Sequence, residues 1–203
     1  MKTDVYSFEK TVTDTSDINV LAEKAAQYCN LDEKETLKLI LLCEELVEML
    51  PNLLLYGKGK LWIEAEEKSF EIHTVVEADE LLSGMDREKI LKVSKSGKNA
   101  AAKGIMNKIK IAAELMMANY ALSSGVSGDI SYDSPPPEFF EMGSYHDPIS
   151  RSNEWSLLSY KKKVESSPAE WDELERSIIA NVADDVIVGI ISGKVEITVK
   201  KKF

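Results

Sequence analysis

One stretch of the chain, residues 37–77, constrains the fold more than any other. It reads LKLILLCEELVEMLPNLLLYGKGKLWIEAEEKSFEIHTVVE, a long apolar helix followed by two segments in which apolar and polar residues alternate. Alternation with a period of two is typical of a half-buried strand, and a polar connection between two such strands indicates a hairpin. The stretch therefore predicts helix and sheet layers packed together.

The helix in this stretch has clear end signals and one apolar stripe. Asp32 followed by Glu35 is a capping-box pattern, and Pro51 predicts where the helix stops. Leu37 and Leu41 lie on a second side, so we expect the helix to be sandwiched between layers. The main stripe consists of Leu39, Leu42, Leu46, Met49 and Leu53.

Three carboxylates interrupt this apolar helix. Glu44 and Glu48 are four residues apart and share a face, whereas Glu45 points in a third direction. A charge inside a buried helix is costly, so these side chains need an explanation. Glu44 and Glu48 form either a solvated or ion-paired face of the helix, or a functional pair with Glu44 as a base and Glu48 as a metal ligand.

The two strands of the hairpin are each expected to bury one side. The inward positions are Leu61, Ile63, Ala65, Phe70, Ile72, Thr74 and Val76. Residues 57–59, with two glycines, predict a loop before the first strand, and residues 67–69 predict the turn. His73 alternates outward beside Glu71, which favours a surface histidine over a catalytic base.

The remaining segments complete a layered α+β domain. We expect strands over residues 5–12, 155–164 and 195–199, and helices over 17–29 and from about 99. A single domain would then span residues 1–203, with a long loop insertion at about 121–153. That loop is rich in Gly, Ser, Asp and Pro, and loops of this length are often functional or disordered.

Residues 167–193 leave two interpretations open. The order Ser167, Pro168, Ala169, Glu170 is a strong helix start, and the helical period predicts a helix as far as residue 191. Alternatively, residues 186–191 form a strand and Ser192–Gly193 forms a hairpin turn.

Composition narrows the classes of function. The 203 residues carry a formal net charge of −10, which argues against sequence-independent nucleic-acid binding and against an anionic membrane surface. No apolar run is long enough to span a membrane, and the first residues lack a secretory pattern, so we expect a cytoplasmic protein. Cys29 and Cys43 are expected to be free thiols rather than a disulfide.

The order of elements and the character of the second helix resemble the histidine-kinase-like ATPase superfamily, also called the GHKL or Bergerat fold. The anti-sigma and serine-kinase-like regulators of bacteria are the closest resemblance within it. The similarity covers roughly residues 5–120 and implies a two-layer sandwich, with helices covering one face of a mixed or antiparallel sheet. It also implies ATP and Mg²⁺ as cofactors.

The resemblance implies roles for individual residues. In LLCEELVEML, Glu44 corresponds to the family's catalytic Glu, and Glu48 stands where the family has a Mg²⁺-binding Asn. Asp79 is the candidate adenine contact, although Glu80 and the residues after it replace the family's glycine motif. Lys98, Lys103 and Gly104 correspond to the lid and the helix start that face the phosphates.

Two hypotheses about function follow. The first is a nucleotide-binding signalling regulator of the GHKL type that phosphorylates or sequesters a protein partner. The second is a protein-interaction module on the same fold that no longer binds nucleotide, with an acidic surface serving the partner. A protein partner is expected in both, and a homodimer is one form that it could take.

Overall fold

A six-stranded antiparallel sheet organises the structure, a computed structural model of the chain. The structure describes residues 1–9, 15–50, 58–77, 105, 108, 109, 112, 113, 116, 154–165 and 177–203. The strands are β1 (Tyr6–Glu9), β2 (Lys58–Glu66), β3 (Ser69–Glu77), β4 (Glu154–Ser156), β5 (Asp185–Ile191) and β6 (Lys194–Lys202). The helices are α1 (Ser16–Tyr28), α2 (Glu33–Met49), α3 (Leu157–Val164) and α4 (Ile178–Val182).

Two hairpins, joined through their inner strands, make up most of the sheet. The strand order is β1-β2-β3-β6-β5-β4, so β2–β3 and β5–β6 are hairpins and β3–β6 is the junction between them. At that junction His73 is opposite Thr198, and Val75 is opposite Glu196. Opposed residues in an antiparallel pair point to the same face of the sheet. The register therefore decides which side chains share each face.

One face of the sheet is covered by the helices. Leu39, Leu42 and Leu46 of α2 are fully buried and form one core with the inward residues of β2, β3, β5 and β6. The described residues between 105 and 116 are helical, and all but Lys108 are buried in the same core. This arrangement is the predicted two-layer α+β sandwich, with every strand pair antiparallel.

Local signals placed the first two helices correctly. The Asp32 side chain accepts the Glu35 backbone N–H at 2.8 Å, and the Glu35 side chain accepts the Asp32 N–H at 2.9 Å, which completes the capping box. Lys68 at the β2–β3 turn holds the Glu35 carboxylate at 2.8 Å, and this hydrogen bond lowers the pKa of Glu35. The ion pair therefore links the start of α2 to the hairpin.

The prediction of a strand over residues 155–164 was wrong. Only Glu154–Ser156 is a strand, and the helix α3 follows it directly. Ser156 caps this helix by accepting the Ser159 N–H at 3.3 Å, and the Asp185 carboxylate accepts the Leu158 N–H at 2.9 Å. The buried residues Leu157 and Val164 are two helical turns apart, which is a helical rather than a strand period.

The second interpretation of residues 186–191 is the correct one. They belong to the strand β5, and α4 ends at Val182. Ser192 and Gly193 have φ angles of 51° and 76°, the left-handed pair that a tight hairpin turn needs. The β-branched run in β5 explains why the helical period did not prevail.

The predicted loop at residues 57–59 is also partly wrong, because Lys58 and Gly59 are part of β2. Gly59 lies opposite Phe8 of β1 and Val76 of β3. The glycine is required by close approach, since a Cβ there would lie 2.6 Å from the Phe8 ring and 2.9 Å from the Val75 carbonyl oxygen.

Both cysteines are free, and burial raises the pKa of Cys43 to about 12.

Gly59→Ala should destabilise the protein by about 1–3 kcal/mol, because the added methyl group overpacks the Phe8 ring and the β3 backbone. Urea unfolding measures the change. Ser7→Ala, at an exposed position of β1, is the matched control and should be nearly neutral. The cost of Gly59→Ala should be smaller in a Phe8→Leu background. An unchanged unfolding free energy for Gly59→Ala alone would contradict this packing.

Candidate functional site

Glu44 lies on the side of α2 that also carries Leu37, Leu41 and Glu48, called the outer side below, and its carboxylate forms a hydrogen bond with α1. The Asn19 Nδ2 group donates a hydrogen bond to Glu44 Oε1 at 2.9 Å. The other amide atom, Asn19 Oδ1, is buried and has no hydrogen-bond partner among the described residues. A buried polar atom without a partner is costly, so this pair is a place where a ligand group could contribute.

The outer side of α2 faces solvent instead of a second layer. Leu37 is 55% exposed, Leu41 is half-buried and Glu48 is exposed. The expectation that α2 is sandwiched between layers was therefore wrong. Exposure of Leu37 and Leu41 costs little free energy, because single apolar side chains are common on protein surfaces. Glu44 and Glu48 share this side, as their spacing predicted.

The other residues assigned by the resemblance lie outside the described part of the chain. They are Asp79, Lys98, Lys103 and Gly104, and the predicted 121–153 loop lies outside it as well. Carboxylate oxygens such as those of Glu44 and Glu48 are the ligands that Mg²⁺ prefers, usually one or two of them with phosphate oxygens. Within the described residues, no three His, Cys, Asp or Glu side chains gather as a metal site.

Glu45, which had no predicted role, joins α2 to α4. Its carboxylate accepts the Ile179 backbone N–H at 2.7 Å and the Ser177 hydroxyl at 3.2 Å. Burial raises the pKa of Glu45, and these two hydrogen bonds partly oppose that effect. Ser177 and Ile179 are 132 and 134 residues from Glu45 in the sequence, so no local sequence pattern could reveal this contact.

Glu45→Ala should lower the unfolding free energy by about 1–3 kcal/mol, because the buried Ile179 N–H loses its acceptor. Glu45→Gln keeps an acceptor oxygen and should cost less. The raised pKa means that the folded chain binds more protons than the unfolded chain between the two pKa values. The stability that Glu45 contributes should therefore fall as pH rises through its folded-state pKa.

Urea titrations at several pH values test this sign. The stability of the wild type relative to Glu45→Gln should increase as pH is lowered from 7 toward the ordinary Glu value, about 4.5. A difference that does not change with pH, or that changes in the opposite direction, would show that burial does not disfavour the ionised carboxylate.

The second candidate site lies on the opposite side of the sheet. No helix in the described ranges packs on this open face, because the buried residues of the helices belong to the core on the inner face. One cross-strand row of the open face runs through β2, β3, β6 and β5. It consists of Trp62, His73, Thr198 and Ile187.

His73 is the best-held residue of this row. Its ring stacks on Trp62 with centroids 5.0 Å apart and planes 9° apart, and only 14% of its side chain is exposed. Nδ1 lies 3.2 Å from Thr198 Oγ1 and 3.5 Å from Glu196 Oε1. Nε2 is 3.4 Å from Glu71 but forms no hydrogen bond with any described residue. The sequence placed His73 outward correctly but did not predict how closely it is enclosed.

A trough of about 420 Å³ opens beside His73. Its charged lining consists of Glu71, Glu154, Glu196 and Lys200. Its apolar lining comes from β5 and includes Ile187 and Ile191, and the latter is 60% exposed. The trough thus combines an aliphatic strip on β5 with carboxylates on both sides of it, Glu71 and Glu196 on one side and Glu154 on the other, a combination typical of binding surfaces.

Ion pairs fix the carboxylates around the row. Glu71 is 3.0 Å from Lys200. Glu64 accepts hydrogen bonds from Lys2 at 2.8 Å and from Trp62 Nε1 at 2.9 Å, and both lower the pKa of Glu64. Trp62 is therefore oriented through its indole N–H, and its stacking in turn orients the His73 ring.

The chain matches no protein-family model, no curated protein and no solved structure. The GHKL resemblance therefore stays a prediction.

Among the described helices, none is both long enough and apolar enough to cross a membrane.

Proposed function

We propose that this chain is a protein-interaction module whose partner binds the open face of the sheet. The observation that carries the proposal is the trough beside His73, in which an aliphatic strip and three carboxylates share one rigid surface. The side chains of the face belong to paired strands, so their positions are fixed before a partner arrives, which reduces the entropy lost on binding.

The partner is expected on the face of the sheet rather than along an edge. The edge strands β1 and β4 are only 4 and 3 residues long, which leaves little backbone for a partner strand to pair with. The exposed Ile191 adds apolar contact area at the rim of the trough.

Site-specific photocrosslinking in the cells of origin tests this proposal. A benzophenone amino acid is placed at Ile191, at the trough, or at Leu37, on the outer side of α2. The two positions are matched, with exposures of 60% and 55%. We expect a discrete protein adduct from position 191 and not from position 37. Adducts at position 37 only, or at neither position, would contradict the proposal, and an adduct of twice the chain mass would identify a second copy as the partner.

A nucleotide-binding signalling regulator, of the anti-sigma or serine-kinase type, is a second candidate. The contact between Asn19 and Glu44 favours it, because a catalytic base needs a fixed orientation and the buried Asn19 Oδ1 lacks a hydrogen-bond partner among the described residues. In that case Glu44 would accept a proton and Glu48 would hold Mg²⁺, while ATP would supply the transferred phosphoryl group.

Thermal unfolding with and without Mg·ATP tests the second candidate. Nucleotide at about 100 times its dissociation constant should stabilise the protein by ~2.7 kcal/mol. Glu44→Gln should keep this stabilisation and lose turnover, whereas Glu23→Gln, an exposed carboxylate of α1, should change neither. The absence of a shift at millimolar Mg·ATP would remove this candidate.

A further inference from the structure

Among the described residues, one carboxylate of the trough, Glu196, lacks a basic side chain of permanent charge beside it. Of the described residues that line the trough, only Lys200 and His73 are basic, and Lys200 already contacts Glu71 at 3.0 Å. Glu196 lies on the neighbouring side of the His73 ring. In the part of the chain that the structure describes, His73 is the only group of opposite charge within ion-pair distance of Glu196, and it is cationic only when protonated.

Within the described ranges, Glu196 is therefore a carboxylate without a permanent counter-ion. Its side chain is only 23% exposed, so water solvates it less well than a fully exposed glutamate. A cation from outside would recover Coulomb energy in a region of reduced dielectric. The trough consequently favours a positively charged ligand group next to Glu196.

The shape and the apolar lining narrow the kind of cation. The described residues do not bring three metal-binding side chains together, so Glu71 and Glu196 flank His73 without converging on one point. Beside Glu196, Ile187 and Ile191 lie on the open face of β5 and offer an aliphatic wall. A long side chain with an apolar stem and a charged end suits both walls at once.

Among such side chains, arginine matches best. Its planar guanidinium can donate two parallel hydrogen bonds to a carboxylate such as that of Glu196, whereas an ammonium group cannot. Arginine is also among the residues that contribute most energy at protein interfaces, particularly in sheltered pockets.

We infer that the trough binds an arginine side chain of a protein partner, with Glu196 accepting the guanidinium and the β5 isoleucines contacting its stem. This inference rests on the proposed interaction function, and it specifies the chemistry that the trough recognises. Lys200, which is paired with Glu71, also lines the trough. Its positive charge disfavours cations that would bind at Glu71 instead of Glu196.

A peptide library tests the inference on the full chain. Octapeptides carry arginine at one fixed central position and aliphatic residues enriched beside it, and each has a matched peptide with citrulline, which has the same shape but no charge. We expect a subset of the arginine peptides to bind and their citrulline partners to bind about tenfold more weakly or worse.

Two charge-removing variants locate the effect. Glu196→Gln should lower the affinity for the arginine peptides by about tenfold or more, while Glu66→Gln should leave it unchanged. Glu66 is the matched control because it is exposed at the far end of β2 and loses the same charge. Urea unfolding and circular dichroism verify that both variants fold. Glu196→Asp, which keeps the negative charge, should retain part of the affinity for the arginine peptides.

Three results would overturn the inference. They are equal affinity for arginine and citrulline peptides, equal affinity of wild type and Glu196→Gln, and the failure of every arginine peptide to bind. If crosslinking at position 191 still captures a partner in any of these cases, only the arginine chemistry is wrong. If crosslinking fails as well, the proposed function fails with it.

Discussion

The pairing of β3 with β6 is the constraint on which the rest of the structure depends. It joins two local hairpins, and its register runs from Ser69 opposite Lys202 to Val76 opposite Val195. Because side chains alternate between the faces, a slip of one residue would send the inward set of β6 to solvent and bring its charged set into the core. The buried residues Ile72 and Val199 oppose that slip.

The same pairing separates two faces with different tasks. The inner face packs against the helices, and the burial of apolar side chains between them stabilises the fold. The open face brings together residues from both hairpins, above all His73 from β3 and Glu196 from β6. Neither hairpin alone contains the trough, so the proposed site depends on the junction being formed. Glu45 serves the junction indirectly, since it fixes the segment that leads into β5.

Local patterns predicted the parts of this structure that local interactions determine. The capping box at Asp32, the inward alternation of β2 and β3 and the outward direction of His73 all follow from neighbours in sequence. The trough could not be predicted in this way, because Thr198 contacts His73 across 125 residues of chain. In Asp185–Ile191, where helical and strand periods competed, the β-branched residues favour the strand, but the pattern of this one segment does not reveal that it pairs with β6.

Nuclear Overhauser contacts between the backbone protons of β3 and β6 test the central claim most directly. The account predicts cross-strand contacts that join Ile72 with Val199, His73 with Thr198 and Thr74 with Ile197. A complete set of contacts displaced by one residue, which makes His73 opposite Val199 and Ile72 opposite Lys200, would contradict the account. In that register His73 and Glu196 would not share the open face.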